Sequence, residues 1–250
     1  MTAKPTFDDY VQSALEEPFV GWDFSYLDGR MVEHQPSWDY LERVEDLAGE
    51  VLSMVDMCTG GGEFLAGLKR RPPAVVATES YAPNFNLAKK RLTPFGIEVV
   101  RAGYEGDLPL HGRTFDLVIN RHGGYAAAEV AQALNPEGRF VTQQVGADNC
   151  AGVNRDLGVP RSPDSWSLDV AVGALENSGF EILNAFEEFP KIEFHDIGAL
   201  VFYLRAIPWQ VPGFDVVDFR SELLKIHDAI VGGEPYAVNG HRFFLDARIR

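Results

Sequence analysis

The sequence lacks several features that would mark broad classes of protein. Only two cysteines occur in 250 residues, too few for a disulfide framework and typical of a reducing compartment. No stretch approaches the roughly 20 apolar residues of a membrane helix. The opening residues, MTAKPTFDDY, lack the apolar core of a signal peptide. We therefore expect a cytoplasmic protein that does not enter a membrane.

Basic residues are also scarce. Twenty-two Lys and Arg stand against 37 Asp and Glu, giving a formal net charge of −15. Because nucleic-acid binding is driven by counterion release to Lys and Arg, this balance disfavours an RNA or DNA partner. The two short basic runs, 69–71 and 89–91, fall where helices are predicted to end, and cations there complement the helix dipole.

Metal-ligand patterns are missing as well. The six histidines show no HExxH spacing, and Cys58 and Cys150 lie far apart in the chain. The sequence predicts no metal site.

The most informative feature that is present is the stretch VLSMVDMCTGGGEFLAGL, residues 51–68. An apolar strand leads into a turn containing Thr59, Gly60 and Gly62, and a helix follows. Glycines open left-handed backbone conformations and let a ligand approach bare main chain. Glu79 ends the next apolar run, AVVATE, where a ribose hydroxyl pair needs an acceptor. This pattern predicts an adenosine-type cofactor.

Asp56, at the end of the first strand, separates two cofactor classes. A dinucleotide places its pyrophosphate at the helix start, where a carboxylate would repel it. Leu65 also occupies the third glycine position of the dinucleotide pattern GxGxxG. A carboxylate suits a cationic ligand, and S-adenosylmethionine carries both an ammonium and a sulfonium group.

Strand and helix patterns alternate along the chain, which predicts an α/β protein with a parallel sheet flanked by helices. The carboxyl ends of the strands should bring Asp56, Glu79, Asn120 and Gln143 to one edge. Strands are expected at 51–55, 74–78, 97–100, 115–119, 139–145, 180–189 and 236–247, helices at 7–16, 37–48, 62–70, 83–92, 125–134 and 168–178, and a loop at 146–165.

Four segments carry a resemblance to a known family: VDMCTGGGEF, Glu79, FDLVINRH (115–122) and LNPEGRFVTQQ (134–144). Across residues 50–146 the chain resembles a class I S-adenosylmethionine-dependent methyltransferase of the broad methyltransferase-domain group. Two positions depart from the family pattern. Cys58 stands where the family usually has its first glycine, and Glu137 stands where a glycine pair is common.

The resemblance implies a Rossmann-like, seven-stranded, mostly parallel sheet whose last strand is antiparallel. Within one domain overall, it implies a core of residues 50–189 and 234–250, an N-terminal helical cap (1–49) and a substrate-cap insertion (190–233). It places His122, the candidate catalytic base, where the methyl acceptor approaches, and Glu105 at the adenine amino group. The expected cofactor-binding residues are Asp56, Thr59, Gly60, Gly62, Glu79, Glu105 and Asn120.

The function expected from these features is methyl transfer from S-adenosylmethionine to an oxygen or nitrogen of a small, partly apolar molecule, leaving S-adenosylhomocysteine. Trp22, Phe24, Tyr203 and Trp209 are expected to roof the acceptor pocket or to pack as additional core. Two alternatives stay open: a tRNA or rRNA methyltransferase, and a cofactor-binding regulator without catalytic activity.

Overall fold

The computed structural model describes residues 5–102, 110, 112–161 and 165–250. The chain divides into two compact units. The first unit comprises Met1–Pro36, Ala147–Asp164 and Phe189–His241, and the second comprises Ser37–Gly146, Ser165–Glu188 and Arg242–Arg250. Glu105 lies outside the described residues.

The first unit packs helices around one very apolar helix. Its helices are α1 (Phe7–Glu16), α6 (Ala151–Asp156), α8 (Ile197–Ala206) and α9 (Arg220–Val231), and its strands are β1 (Met31–Glu33), β8 (Lys191–Phe194) and β9 (Tyr236–Asn239). The three strands form an antiparallel sheet in the order β1-β8-β9. All of α8 except Arg205 is buried, so this helix is the centre of the unit's core.

The second unit contains a seven-stranded sheet. Its strands are β2 (Ser53–Met57), β3 (Ala74–Glu79), β4 (Glu98–Arg101), β5 (Phe115–Arg121), β6 (Leu134–Val145), β7 (Phe180–Glu188) and β10 (Arg242–Ile249). The strand order is β4-β3-β2-β5-β6-β10-β7. The pairings from β4 to β6 are parallel, whereas β10 runs antiparallel to both β6 and β7. This confirms the expected Rossmann-like sheet with an antiparallel last strand.

Helices cover both faces of this sheet, as a largely parallel sheet requires. The helices are α2 (Tyr40–Ala48), α3 (Glu63–Gly67), α4 (Ala82–Leu92), α5 (Ala127–Gln132) and α7 (Leu168–Asn177). Apolar residues alternate between the faces: Val118 packs with α5 and α7, and its neighbours Leu117 and Ile119 pack with α2, α3 and α4.

Several local expectations need correction. The helices expected at 62–70 and 125–134 end earlier, at Gly67 and Gln132. The predicted strand 236–247 is two strands, because Gly240 and His241 interrupt it: β9 pairs with β8, β10 pairs with β6 and β7, and Gly240 N donates to Pro190 O at 2.7 Å. The predicted loop 146–165 contains α6, a helix too short to show a periodic pattern. The helix predicted from residue 37 begins at Tyr40, because Asp39 is the N-cap and Ser37 N donates to Glu188 at 3.0 Å instead.

Over the described ranges, no helix has the length and apolar character needed to cross a bilayer.

Candidate functional site

The turn between β2 and α3 has an unusual backbone conformation. Cys58, Gly60 and Gly62 all have positive φ angles, of 59°, 63° and 81°. Two hydrogen bonds fix the turn: Thr59 N donates to Thr78 O on β3 at 2.9 Å, and Gly62 N donates to Thr59 O at 3.1 Å. Left-handed backbone conformations favour glycine. The sequence has glycine at two of these three positions, Gly60 and Gly62.

The two positive-φ glycines serve different purposes. A Cβ on Gly62 would lie 2.9 Å from Leu92 Cγ, so its bare main chain lets α4 pack against the turn. A Cβ on Gly60 would meet no atom within 4 Å. The space beside Gly60 is therefore open, as it must be if a ligand lies against the main chain there.

Glu79 closes the turn from the neighbouring strand. It ends β3, is 5% exposed, and accepts from Gly60 N at 2.7 Å and from Tyr81 N at 2.8 Å, one bond on each carboxylate oxygen. A carboxylate offers about four acceptor positions. Glu79 is thus held in place by main-chain donors while it keeps the capacity to accept from a pair of hydroxyls.

Asp56 is the second carboxylate of the site. It is 3% exposed, and the Thr59 hydroxyl donates to it at 2.6 Å. Burial raises the pKa of Asp56 to about 7, and repulsion from Glu79 adds to the shift, whereas the Thr59 hydrogen bond and the charge of Arg121 oppose it. A cationic group placed beside Asp56 would favour its ionised form.

Cys58 is accommodated by a glycine that the sequence analysis did not single out. A Cβ on Gly123 would lie 2.4 Å from Cys58 Cβ and 2.8 Å from its Sγ. The Cys58 thiol donates to Gly124 O at 3.8 Å. Burial raises its pKa to about 11, with further contributions from Glu79 and Asp56. The thiol is therefore protonated at neutral pH, which makes it a poor nucleophile. In the sequence, Gly123 and Gly124 stand shortly after β5, but nothing there links them to Cys58.

Asn120 ties three strands together beneath the turn. It is fully buried. Its Nδ2 donates to Met57 O at 3.2 Å, and its Oδ1 accepts from Gln144 Nε2 at 2.6 Å and from Thr142 Oγ1 at 3.2 Å. Both ends of the amide are engaged within the protein, so Asn120 holds the ends of β2, β5 and β6 together.

His122 follows β5 in a left-handed conformation, with φ of 62°. Its Nε2 lies 3.1 Å from Gln143 Nε2, and since an amide NH₂ donates, the neutral ring accepts at Nε2 and carries its proton on Nδ1. The pKa of His122 is lowered, first by desolvation of the ring and then by the guanidinium groups of Arg242 and Arg121. Because the residue as a whole is exposed, water weakens the lowering of the pKa. A pKa below the ordinary value of His keeps the ring neutral at pH 7.

A cleft of about 300 Å³ in the second unit is separate from this turn. It is lined by Trp38, Asp39, Arg43, Asn184, Phe186 and Phe244. The charge of Arg43 is compensated by the buried Asp246, to which its Nη2 donates at 2.6 Å. The cleft shares no residue with the glycine turn, and its carboxylate, Asp39, caps the N-terminus of α2 by accepting from Glu42 N. The cleft is therefore a weaker candidate for a nucleoside site.

No cluster of three or more His, Cys, Asp or Glu suited to a metal ion occurs among the residues that the structure describes. Together, β2, the turn that follows it and the end of β3 bring Asp56, Thr59, Gly60, Gly62 and Glu79 to one place, and Asn120 is bonded to Met57 at the end of β2.

No protein-family model matches the chain, and no curated protein matches it. Solved structures share the fold. They include a protein of unknown function from Deinococcus radiodurans R1, with 15% identity, a TM-score of 0.63, and coverage of 88% of this chain and 91% of that one. A candidate methyltransferase from Bacillus halodurans C-125 has 17% identity, a TM-score of 0.59, and coverage of 83% and 97%. The [4+2]-cyclase SpnF has 15% identity, a TM-score of 0.54, and coverage of 99% and 97%. The chain has the class I methyltransferase fold.

Proposed function

We propose that the protein binds S-adenosylmethionine at the β2 turn and transfers its methyl group to a small molecule. The observation that carries this proposal is the pairing of two buried carboxylates, Asp56 and Glu79, on either side of a glycine turn with open space at Gly60. A dinucleotide would bring a pyrophosphate toward Asp56, and the repulsion would oppose binding. A nucleoside with a cationic tail matches them.

The residues fit distinct parts of this cofactor. Glu79 would accept from the ribose hydroxyls, and Asp56 would face the cationic methionine part. When bound, S-adenosylmethionine supplies an electrophilic methyl group on a sulfonium. The task of the protein is then to align donor and acceptor and to exclude water. Main-chain hydrogen bonds fix the Glu79 carboxylate, and the Thr59 hydroxyl fixes that of Asp56, so both are held in place for alignment.

The proposed acceptor is small and partly apolar. The first unit carries an exposed aromatic cluster in which Trp22 stacks on Phe24 with ring centroids 6.2 Å apart and meets Trp209 edge to face at 6.0 Å. Trp22 is 53% exposed and Trp209 is 57% exposed. Exposed apolar groups gathered in this way are typical of binding surfaces. The net charge of −15 counts against an RNA acceptor.

The fold alone does not settle the reaction. The match to the [4+2]-cyclase SpnF covers 99% of this chain. SpnF is thus an example of a protein with this fold that has a different activity. Cofactor binding without methyl transfer is therefore the second candidate function, and a methyl-transfer assay distinguishes it from the first.

The direct test is incubation with S-adenosylmethionine labelled in its methyl group. The acceptors are a panel of phenols, carboxylic acids and amines, with bulk tRNA and rRNA in parallel. We expect label to enter a small molecule, with release of S-adenosylhomocysteine. Label in RNA would support the RNA alternative. Cofactor binding without labelled product anywhere would favour the regulator or a reaction of another class.

We further propose that His122 contacts the methyl acceptor. If Nε2, the one ring nitrogen without a proton, exchanges its hydrogen bond from Gln143 for the acceptor's proton in the reaction, His122→Ala should lower kcat by about 100-fold or more and leave the affinity for S-adenosylhomocysteine nearly unchanged. Gln143→Glu, which keeps the neighbouring side chain in place but adds charge, should raise the pKa of the imidazole and shift the pH profile of kcat upward. Wild-type turnover in His122→Ala would remove the proposed role.

A further inference from the structure

One polar side chain lies on the buried face of α4. Asn84, Ala88 and Leu92 are the buried residues of this helix, and their spacing of four places them on one face. Leu92 packs against Gly62 of the glycine turn. Two of these three positions carry the apolar side chains expected on such a face, whereas Asn84, at 2% exposure, carries an amide.

The amide nitrogen of Asn84 is buried without a hydrogen-bond partner among the described residues. An amide nitrogen has two hydrogens to donate, and leaving a buried donor unpaired is costly, which makes such groups rare in folded proteins. Leucine or methionine at this position would fill similar space without that cost. An acceptor from outside the protein would account for the asparagine.

The position of Asn84 points to which acceptor this is. The helix α4 starts at Ala82, three residues after Glu79, and the main-chain N–H of its N-cap residue Tyr81 donates to the Glu79 carboxylate at 2.8 Å. Asn84 lies in the first turn of this helix. The same carboxylate binds Gly60 N. The unpaired amide therefore belongs to the corner of the fold where the nucleoside is proposed to bind.

We propose that Asn84 Nδ2 donates a hydrogen bond to the nucleoside part of the cofactor and so helps to select it. This inference rests on the proposed function. The acceptor atoms that adenosine offers a donor are its ring nitrogens N1, N3 and N7 and the ribose oxygens. Asn84 thus complements Glu79, since Glu79 can only accept hydrogen bonds and the Asn84 amide nitrogen can only donate them.

The test compares Asn84→Leu with a matched control, Asn86→Leu, two residues along the same helix but exposed. Without ligand, Asn84→Leu should raise the melting temperature, because it removes an unpaired buried donor. Its affinity for S-adenosylhomocysteine, measured by calorimetry, should fall about fivefold to tenfold. Asn86→Leu should leave the affinity unchanged. A higher melting temperature together with a weaker affinity is the result expected if the Asn84 amide donates to the ligand.

The wild-type protein provides a second measurement that does not depend on the variant folding. Analogues of S-adenosylhomocysteine in which N3 or N7 of the base is replaced by C–H should identify the acceptor. One of them should bind the wild type about fivefold to tenfold more weakly and bind Asn84→Leu no more weakly than the parent compound does. If neither analogue differs while Asn84→Leu loses affinity, the acceptor is N1 or a ribose oxygen.

Two results would overturn the inference, and they are distinguishable. If the wild type binds S-adenosylhomocysteine and Asn84→Leu binds it equally well, the role of Asn84 is wrong and the proposed function stands. If the wild type does not bind it at all, the proposed function fails and the inference fails with it.

Discussion

Replacing Gly123 by alanine is expected to lower the free energy of unfolding by about 3 kcal/mol, the upper part of the range for overpacking a core, and to abolish cofactor binding. The new Cβ would lie 2.4 Å from Cys58 Cβ and 2.9 Å from Asn120 Nδ2. Neither atom is the free end of a flexible chain, since Asn120 is fully buried and bonded at both ends of its amide. The β2 turn must therefore shift.

Gly124→Ala is the matched control. A Cβ at Gly124 meets no atom within 4 Å, and its φ is not positive, so urea denaturation should show a change within about 0.5 kcal/mol. If Gly123→Ala has the same free energy of unfolding as the wild type, Gly123 does not pack closely against Cys58.

The double variant Gly123→Ala/Cys58→Gly should recover much of the lost stability. It removes both Cys58 atoms that the new methyl group meets and places glycine at a φ of 59°, where glycine carries no steric penalty. The two changes should therefore couple strongly in a double-mutant cycle. Additive effects would show that the clash lies elsewhere.

Asp56 is expected to make the stability of the ligand-free protein fall as pH rises from about 4 to about 7. Its pKa is raised from the ordinary 3.8 to about 7. Between these values the folded state keeps a proton that the unfolded state has released, so raising the pH favours unfolding. Above pH 7 the destabilisation is fully present and reaches at most about 4 kcal/mol. Below pH 4 both states are protonated and it vanishes.

Asp56→Asn should therefore be more stable than the wild type at pH 8, with the difference disappearing near pH 4, as measured by urea denaturation across this range. Asp116→Asn is a control for which the opposite effect on stability at pH 8 is expected. Hydrogen bonds from Asn135, Ser53 and Leu52 hold the pKa of Asp116 below its ordinary value despite the opposing effect of burial. The stability it contributes is present above pH 4 and lost as pH falls, so its removal should destabilise at pH 8.

Ligand binding should reverse the effect of Asp56. S-adenosylhomocysteine retains an ammonium group, which favours the ionised carboxylate. Affinity should therefore rise as pH increases through 7, with release of a proton that calorimetry detects by comparing buffers. Asp56→Asn should bind more weakly and show neither effect. Wild-type binding that is independent of pH would mean that the cation does not lie at Asp56.

The sequence predicted the second unit well because its signals are local. The glycine turn and Glu79 belong to one strand-turn-helix-strand unit, and short-range patterns fix how such a unit folds. The alternating apolar runs predicted the parallel sheet for the same reason. The pair Asn239-Gly240 is present in the sequence, but the alternation that continues on both sides of it obscured the break between β9 and β10.

Features that depend on distant residues were not predictable. Cys58 looked irregular in its own motif, and only the fold shows that Gly123, far along the chain, makes room for it. Asn84 looked like an ordinary polar residue of a surface helix until its burial was known. The lowered pKa of His122 depends in part on Arg242, which the antiparallel strand β10 brings beside β6. The first unit is assembled from three separate segments, which no local pattern reveals.

The central claim is that Asp56, the glycine turn and Glu79 form a site for S-adenosylmethionine. The most direct test is a calorimetric titration of the wild type and Glu79→Gln with S-adenosylhomocysteine and with NAD at pH 8. The exposed Glu98→Gln on β4 serves as control. We expect S-adenosylhomocysteine to bind the wild type and the control alike, Glu79→Gln to bind about tenfold or more weakly through loss of a carboxylate acceptor, and NAD not to bind. Binding of NAD, or wild-type affinity in Glu79→Gln, would contradict the account.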